Sequence, residues 1–472
     1  MNQAASSNRA LLWIVAGGFF MQSLDTTIVN TALPGLAKSL GEPALAMQLV
    51  VVAYTLTMAT LTPASGWLTD RFGSRRVYLA AVVVFTIGSI LCACSASAPQ
   101  IIAARVIQGI GGSILLPVGR LTVLRTTPSE QYIAALAFIS IAAQVGPIFG
   151  PVTGGWLVEA LSWHWIFLIN IPVGAIGIAM ILRYFPDDRA AERQPFDLLG
   201  CALLSICMVS ISIALDFPIQ SHRLEWSLFL VAISIGAALA YYVHAKKATD
   251  PLFDLKLFDN YRFSMGLFGN LVCRIGSNAT PFLLPLVFQL QLGLSPLLSG
   301  LVLLPAAIAG TLAKRWIPGL VAKLGYYRFL SINTLIVGGS IGSLCLISHQ
   351  VPIWVNVIQV LVFGGANSMQ FAVMNSVTLM GLKGREAASG NSLFSMVQML
   401  ATGLGVAISS SLVRIFSGGK HTSLTGFRIT FFCIGLVTVA SVFIFRGLRE
   451  VKTFAAPDGG SSPATTHKAG NS

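Results

Sequence analysis

The feature that most constrains this chain is a succession of apolar runs, each long enough to cross a bilayer as a helix and separated by short polar loops. A helical crossing needs about 20 mostly apolar residues. Fourteen candidate spans follow, at roughly 10–33, 44–68, 77–98, 99–123, 132–161, 165–184, 198–217, 224–245, 263–292, 296–317, 327–347, 352–379, 388–416 and 427–445. Charged residues make up only 10% of the chain, against about 25% in soluble domains. The fold class is therefore an all-α, multi-pass membrane protein. A net charge of +13 raises the question of nucleic acid. The basic residues lie in short loops, however, and topology accounts for them without a nucleic-acid partner. Of 30 Lys and Arg, 23 fall on the side of the termini, 5 on the other side, and Arg105 and Arg274 lie within spans. By the positive-inside rule both termini are expected in the cytoplasm. Seven cysteines sit in or beside apolar runs without metal-ligand spacing and read as packing residues. The first run is too long for a signal peptide and is expected to remain in the protein.

Within the first run stands Asp25, the one acidic residue of seventeen placed deep inside a span. A carboxylate there costs about 2.5–3.5 kcal/mol on insertion scales, so it is a candidate proton or substrate site. Its rival reading is a structural partner for a buried arginine. A weak repeat also runs through the chain. Setting Gly73 on Gly325 aligns Arg71 with Lys323 and Arg76 with Arg328, and the same offset carries the start of span one to the start of span nine. This predicts two six-helix bundles, 10–185 and 262–447, with two helices inserted in the linker 186–261. The short N-terminus, 1–9, is expected in the cytoplasm, and the Gly/Ser/Pro-rich tail, 448–472, is expected to be disordered. No phosphate-cradling loop, paired Cys/His motif or nucleophile elbow is present. The sequence thus points away from an enzyme and an ATP-driven pump, and no cofactor or metal is expected.

Several stretches go further. Gly66-Trp-Leu-Thr-Asp70-Arg71-Phe-Gly73-Ser-Arg75-Arg76 resembles the signature loop of the major facilitator superfamily. Leu24-Asp25-Thr-Thr-Ile-Val-Asn30-Thr-Ala-Leu-Pro34 resembles the first-helix motif of its fourteen-span drug:proton antiporters. Arg105-Val-Ile-Gln108-Gly109 is similar to the fourth-helix motif, and Gly146-Pro147-Ile-Phe-Gly150-Pro151-Val-Thr-Gly154-Gly155 to the antiporter motif of the fifth helix. Trp163-His-Trp165-Ile-Phe-Leu-Ile-Asn170-Ile-Pro172 also looks like that group. The resemblance implies a major facilitator fold with Asp25 and Arg105 in proton coupling. It also implies a conformational latch at Gly66, Asp70, Arg71, Gly73 and Arg76, docking near Ala388, Ser389 and Gly390, and a gating helix marked by Gly146, Pro147, Gly150, Pro151 and Gly154. In the second copy of the loop Ala322 stands where the first has Asp70, so that latch is expected to be degenerate.

Depth arithmetic links two of these motifs independently. At about 1.5 Å per residue, Asp25 lies roughly 12 Å and Arg105 roughly 9 Å below the same membrane face. Arg274 lies near mid-bilayer in span nine with no acidic residue in spans nine to fourteen. It could pair with Asp25, hold an anionic substrate, or cap carbonyls at the Pro281 break. Gln22, Asn30, Asn278, Gln289, Asn367 and Gln398 are candidates to line a cavity, each equally able to serve as interhelical glue. The expected function is proton-coupled export of small molecules, of multidrug type, by a monomer in the bacterial inner membrane. Its partners would be substrate, protons and lipid. Export of an endogenous anionic metabolite or metal chelate, and proton-coupled uptake on the same fold, are the alternatives.

Overall fold

The computed structural model describes residues 2–186, 195–215, 224–380, 382, 384–418 and 422–445; the expected tail 448–472 and part of the linker after 186 lie outside them. Among the described residues every regular element is a helix. The first bundle holds α1 (Asn2–Leu40), α2 (Gln48–Leu61), α3 (Ala64–Phe72), α4 (Ser74–Ala93), α5 (Ala98–Thr126), α6 (Ser129–Ala160), α7 (Trp165–Leu168) and α8 (Asn170–Tyr184). Next come α9 (Leu198–Ala214) and α10 (Leu224–Lys247). The second bundle holds α11 (Tyr261–Leu290), α12 (Pro296–Ala313), α13 (Ile317–Ser343), α14 (Ile353–Leu379), α15 (Gly384–Phe416), α16 (Leu424–Ala440) and α17 (Val442–Phe445).

Among the described residues twelve stretches are long and apolar enough to span a membrane. One of them, Pro296–Leu346, runs 51 residues and holds two crossings, α12 and α13, while the apolar α9 adds a shorter one, giving fourteen. Two crossings are broken by proline. The second stops at Leu61 before Pro63 and resumes as α3. The sixth divides at Ile169, one turn ahead of the N–H that Pro172 lacks. The repeat is visible in the backbone: Gly73 and Gly325 both turn with positive φ, 87° and 74°, a conformation that glycine adopts without strain.

In the first bundle α1 packs along α6, α5 and α8, and α4 along α5 and α8. In the second α12 and α13 flank α14, and α11 lies against α14, α15 and α16. The bundles meet mainly through α2 with α15, α6 with α12, and α1 with α11. Helix α9 covers the α2–α15 seam, its Cys201 Sγ meeting Thr60 O at 3.6 Å and its Leu215 carbonyl accepting from Ser411 Oγ at 2.6 Å. On the side away from the termini the bundles close tightly. A Cβ on Gly155 would sit inside the backbone of Pro296, and one on Gly300 inside that of Pro151. Gln289 there donates to Thr31 O at 2.9 Å, and Leu297 N–H to Glu159 at 3.1 Å.

Candidate functional site

Four helices of the first bundle converge on Asp25. Arg105 and Gln108 stand one turn apart on α5 and share one face. Helix α5 comes close to α4 because small residues permit it: a Cβ on Gly88 would run into the backbone of Gln108, and one on Gly111 into that of Phe85. That approach brings Ser89 of α4 within reach. Asn170 comes from the start of α8, behind an anchor in which Ile166 and Phe167 of α7 are fully buried and Trp163 stacks on His164 at 3.8 Å.

The contacts are short and enclosed. Asp25 is fully buried and Arg105 is 1% exposed, with Nη1 donating to Asp25 Oδ2 at 2.6 Å. The same nitrogen donates to Gln108 Oε1 at 2.6 Å, and Arg105 Nε to the Val50 carbonyl at 3.0 Å. Gln108 Nε2 donates to Asp25 Oδ1 at 2.8 Å and to Ser89 Oγ at 2.9 Å. Asn170 Nδ2 sits 3.5 Å from Asp25 Oδ1 and 3.4 Å from Ser89 Oγ. The guanidinium lies 4.1 Å above the Tyr54 ring. Burying two charges carries a desolvation penalty that only a satisfied set of hydrogen bonds offsets, and these contacts provide it.

A cavity of about 290 Å³ opens on another face of α1. Its wall includes Thr27, Asn30, Gln144, Lys314, Asn367 and Phe371, and among the described residues Lys314 is the only charged one lining it. Lys314 Nζ, at the end of α12 nearer the termini, crosses between bundles to Gln144 Oε1 at 3.0 Å. Asn30 Oδ1 and Asn367 Oδ1 are buried without a hydrogen-bond partner among the described residues. Asn30 is five residues from Asp25, about 140° around the helix, so α1 separates the ion pair from the cavity.

Of the candidate cavity residues, Asn30 and Asn367 line it and the others lie elsewhere. Gln22 is buried beside Met58, Asn278 bonds Thr402 Oγ1 at 2.9 Å, and Gln398 bonds Asn375 at 3.1 Å. Gln289 belongs to the closed side. Arg274 bonds the amides Asn270 and Asn375 and stacks 3.7 Å from the Phe371 ring, so it does not meet Asp25. In the loop region Asp70 bonds Arg125 of its own bundle at 2.8 Å, each about 30% exposed, and among the described residues it makes no bond to Ser389 or Gly390. Arg71 lies 5.6 Å above the Trp67 ring, Arg76 is exposed, and Gly66 faces open space. Gly146, Gly150 and Gly154 all press on α1, against Leu24, Thr27 and Ile28, with Pro147 and Pro151 on the cavity side. Sequence reasoning assigned no role to Ser89, Tyr54, Gln144, Lys314 or Asn170. Only Asn170 carried a signal, as the polar end of the aromatic stretch Trp163–Phe167.

The profile described as Major Facilitator Superfamily matches residues 15–406. The chain is 43% identical over 454 residues, 94% of its length, to a Salmonella paratyphi A protein, and the match covers 96% of that protein. It is 44% identical over 418 residues to one from Pectobacterium carotovorum, covering 88% of this chain and 89% of that one. The name of both, MdtD, marks them as candidate multidrug resistance proteins. In fold the chain is similar to a D-xylose–proton symporter, with TM-score 0.67, 15% identity, and coverage of 92% of this chain and 96% of that one. It is also similar to the human organic anion transporter MFSD10, with TM-score 0.60, 15% identity, and coverage of 93% and 99%.

Proposed function

The chain belongs to the major facilitator superfamily, and on that premise we propose that it exports small molecules of multidrug type across the bacterial inner membrane in exchange for protons. It does so as a monomer with both termini in the cytoplasm. The observation that carries the reading is the buried Asp25–Arg105 pair, held by Gln108 and separated from the cavity by α1 alone. The conformation described, closed on the side away from the termini, is then the inward-facing one. In it Asp25 is ionised and locked to Arg105, and the cavity receives substrate from the cytoplasmic side.

Protonation of Asp25 removes the charge that Arg105 holds. Helix α1 is then free to shift against α5, and because Thr27 and Asn30 line the cavity from that same helix, the shift reaches bound substrate. Release outward follows, and loss of the proton to the cytoplasm resets the pair. The glycine stripe of α6 lies against α1 along this path, so α6 would follow α1. Asp70 and Arg71 act as a latch only in the opposite state, where Asp70 exchanges Arg125 for the start of α15. Export into inverted vesicles under an imposed proton gradient, screened over cationic drugs and anionic metabolites, tests the proposal. Gradient-independent accumulation of every compound would overturn it.

A second reading, export of an anionic metabolite or metal chelate, is favoured by one observation. Among the described residues the single charge lining the cavity is Lys314, no carboxylate stands on the wall, and behind the lining ring of Phe371 is the cation of Arg274.

A further inference from the structure

We propose that Asn170 is a positioning residue of the proton site, supplying the hydrogen-bond acceptor that Asp25 needs once it carries a proton. The inference rests on the proton-coupling reading above and deepens it.

An ionised carboxylate only accepts hydrogen bonds, whereas a protonated one must also donate. In the described state Asp25 accepts from Arg105 on one oxygen and from Gln108 on the other. A proton added to Oδ1 therefore needs an acceptor close by, or it remains a buried unpaired donor, which is destabilising. Three acceptors around it are already engaged. Gln108 Oε1 takes bonds from Arg105 Nη1 and, at 3.7 Å, from Cys92 Sγ. Ser89 Oγ takes bonds from Gln108 and Asn170 and gives its own hydrogen to the Phe85 carbonyl at 3.0 Å. The Val50 carbonyl holds Arg105 Nε.

Asn170 differs from all of these. Its Nδ2 makes only two long contacts, and no donor among the described residues bonds its Oδ1. Rotating the amide by half a turn exchanges nitrogen for oxygen and brings Oδ1 to the place where Nδ2 now stands, facing both Asp25 Oδ1 and Ser89 Oγ. One side chain thus serves both protonation states: Nδ2 donates weakly to the carboxylate, and Oδ1 accepts from the acid. No helix has to move for the exchange. The fully buried Ile166 and Phe167 and the 1% exposure of Asn170 itself keep the amide aimed at this spot, giving the Trp163–Asn170 stretch a use.

The titratable groups facing Asp25 are Arg105 from α5, Tyr54 from α2 and Cys92 from α4. Among the described groups on the other neighbouring helices, Glu159 bonds Leu297 N–H, Arg274 bonds Asn270 and Asn375, Lys314 bonds Gln144, and His164 bonds Ser162. The neutral Asn170 is thus the group whose loss bears on the protonated form more than on the ionised one.

The test needs no substrate. Infrared difference spectra of the purified full-length protein are recorded against pH, and the carboxyl band that Asp25→Asn removes is assigned to Asp25. Asn170→Leu, or Asn170→Ala if the leucine variant does not assemble, should move the midpoint of that band to lower pH by about one unit, the order of one hydrogen bond. Asn170→Ser, whose hydroxyl both donates and accepts, should recover part of the shift. A lower thermal midpoint with the titration unmoved in the leucine, alanine and serine variants would overturn the assignment and leave Asn170 structural. Absence of any Asp25-dependent band at every pH would overturn the proton-site reading itself.

Discussion

Replacing Arg105 by Gln breaks the buried pair from one side and predicts a large, conditional loss of stability. The guanidinium makes three hydrogen bonds, to Asp25, Gln108 and the Val50 carbonyl, and stacks over Tyr54. Removing it leaves a carboxylate that is fully buried without its counter-ion. Breaking a buried pair in this way typically costs about 3–5 kcal/mol. Removing the second charge as well should return much of that loss, because the remaining groups are neutral amides able to bond one another. The double variant Asp25→Asn/Arg105→Gln should therefore be more stable than Arg105→Gln alone, with a coupling free energy of about 2–3 kcal/mol across the cycle. Thermal unfolding of all four proteins, in one detergent and at neutral pH, measures it. Additive losses, with the double variant the least stable of the four, would refute the claim that Asp25 and Arg105 act as one unit.

Further outcomes follow from the same geometry. Arg274→Lys should weaken an anionic substrate more than a cationic one, since an ammonium cannot keep the planar contacts to Asn270, Asn375 and the Phe371 face that hold the positive charge behind the cavity wall; equal effects on both, measured by paired transport assays, would favour a purely structural role. Asp70→Asn should slow the transport cycle while leaving substrate affinity intact, because its pair with Arg125 is part-exposed and worth at most about 1 kcal/mol; collapsed equilibrium binding with normal cycling would contradict this. Asp197, ahead of α9, accepts from Gly200 and Leu252 N–H and from His244 at 2.8, 2.9 and 2.7 Å. Burial alone would raise its pKa, but these bonds outweigh burial and hold it below the ordinary carboxylate value. A lowered folded-state pKa gives stability that is present above the unfolded value and lost as pH falls through the folded one. The gap in thermal midpoint between wild type and Asp197→Asn should therefore narrow below about pH 4, and a gap constant with pH would contradict the account.

Much of this was legible in the sequence because membrane insertion acts on hydropathy over whole segments. The fourteen crossings could be counted that way, although α9 is short and α12 with α13 forms one apolar stretch. The left-handed turn at Gly73 returns at Gly325 because the same bend is needed between the second and third crossing of each bundle. Asp25 and Arg105 could be matched by depth, since each helix fixes height along its axis. Depth says nothing of rotation, and rotation decides partners. It aims Arg274 at Asn270 and Phe371, not at Asp25, and turns Gln22 and Gln398 away from the cavity. Ser89, Gln144 and Asn170 escaped for the same reason: a lone polar residue in a span has no sequence mark separating site from glue. Lys314 lies at a helix end, where a lysine normally reaches toward solvent. In the conformation described Asp70 bonds Arg125, a partner that no sequence motif specifies.

The most direct test of the central claim compares wild type with Asp25→Asn in proteoliposomes, using one exported compound and two regimes. One regime drives transport with a pH gradient; the other follows exchange of labelled for unlabelled compound with no gradient. The account predicts that Asp25→Asn abolishes gradient-driven accumulation while exchange continues, because the cavity lies across α1 from the lost charge. Gradient-driven transport at the wild-type rate in Asp25→Asn would contradict it.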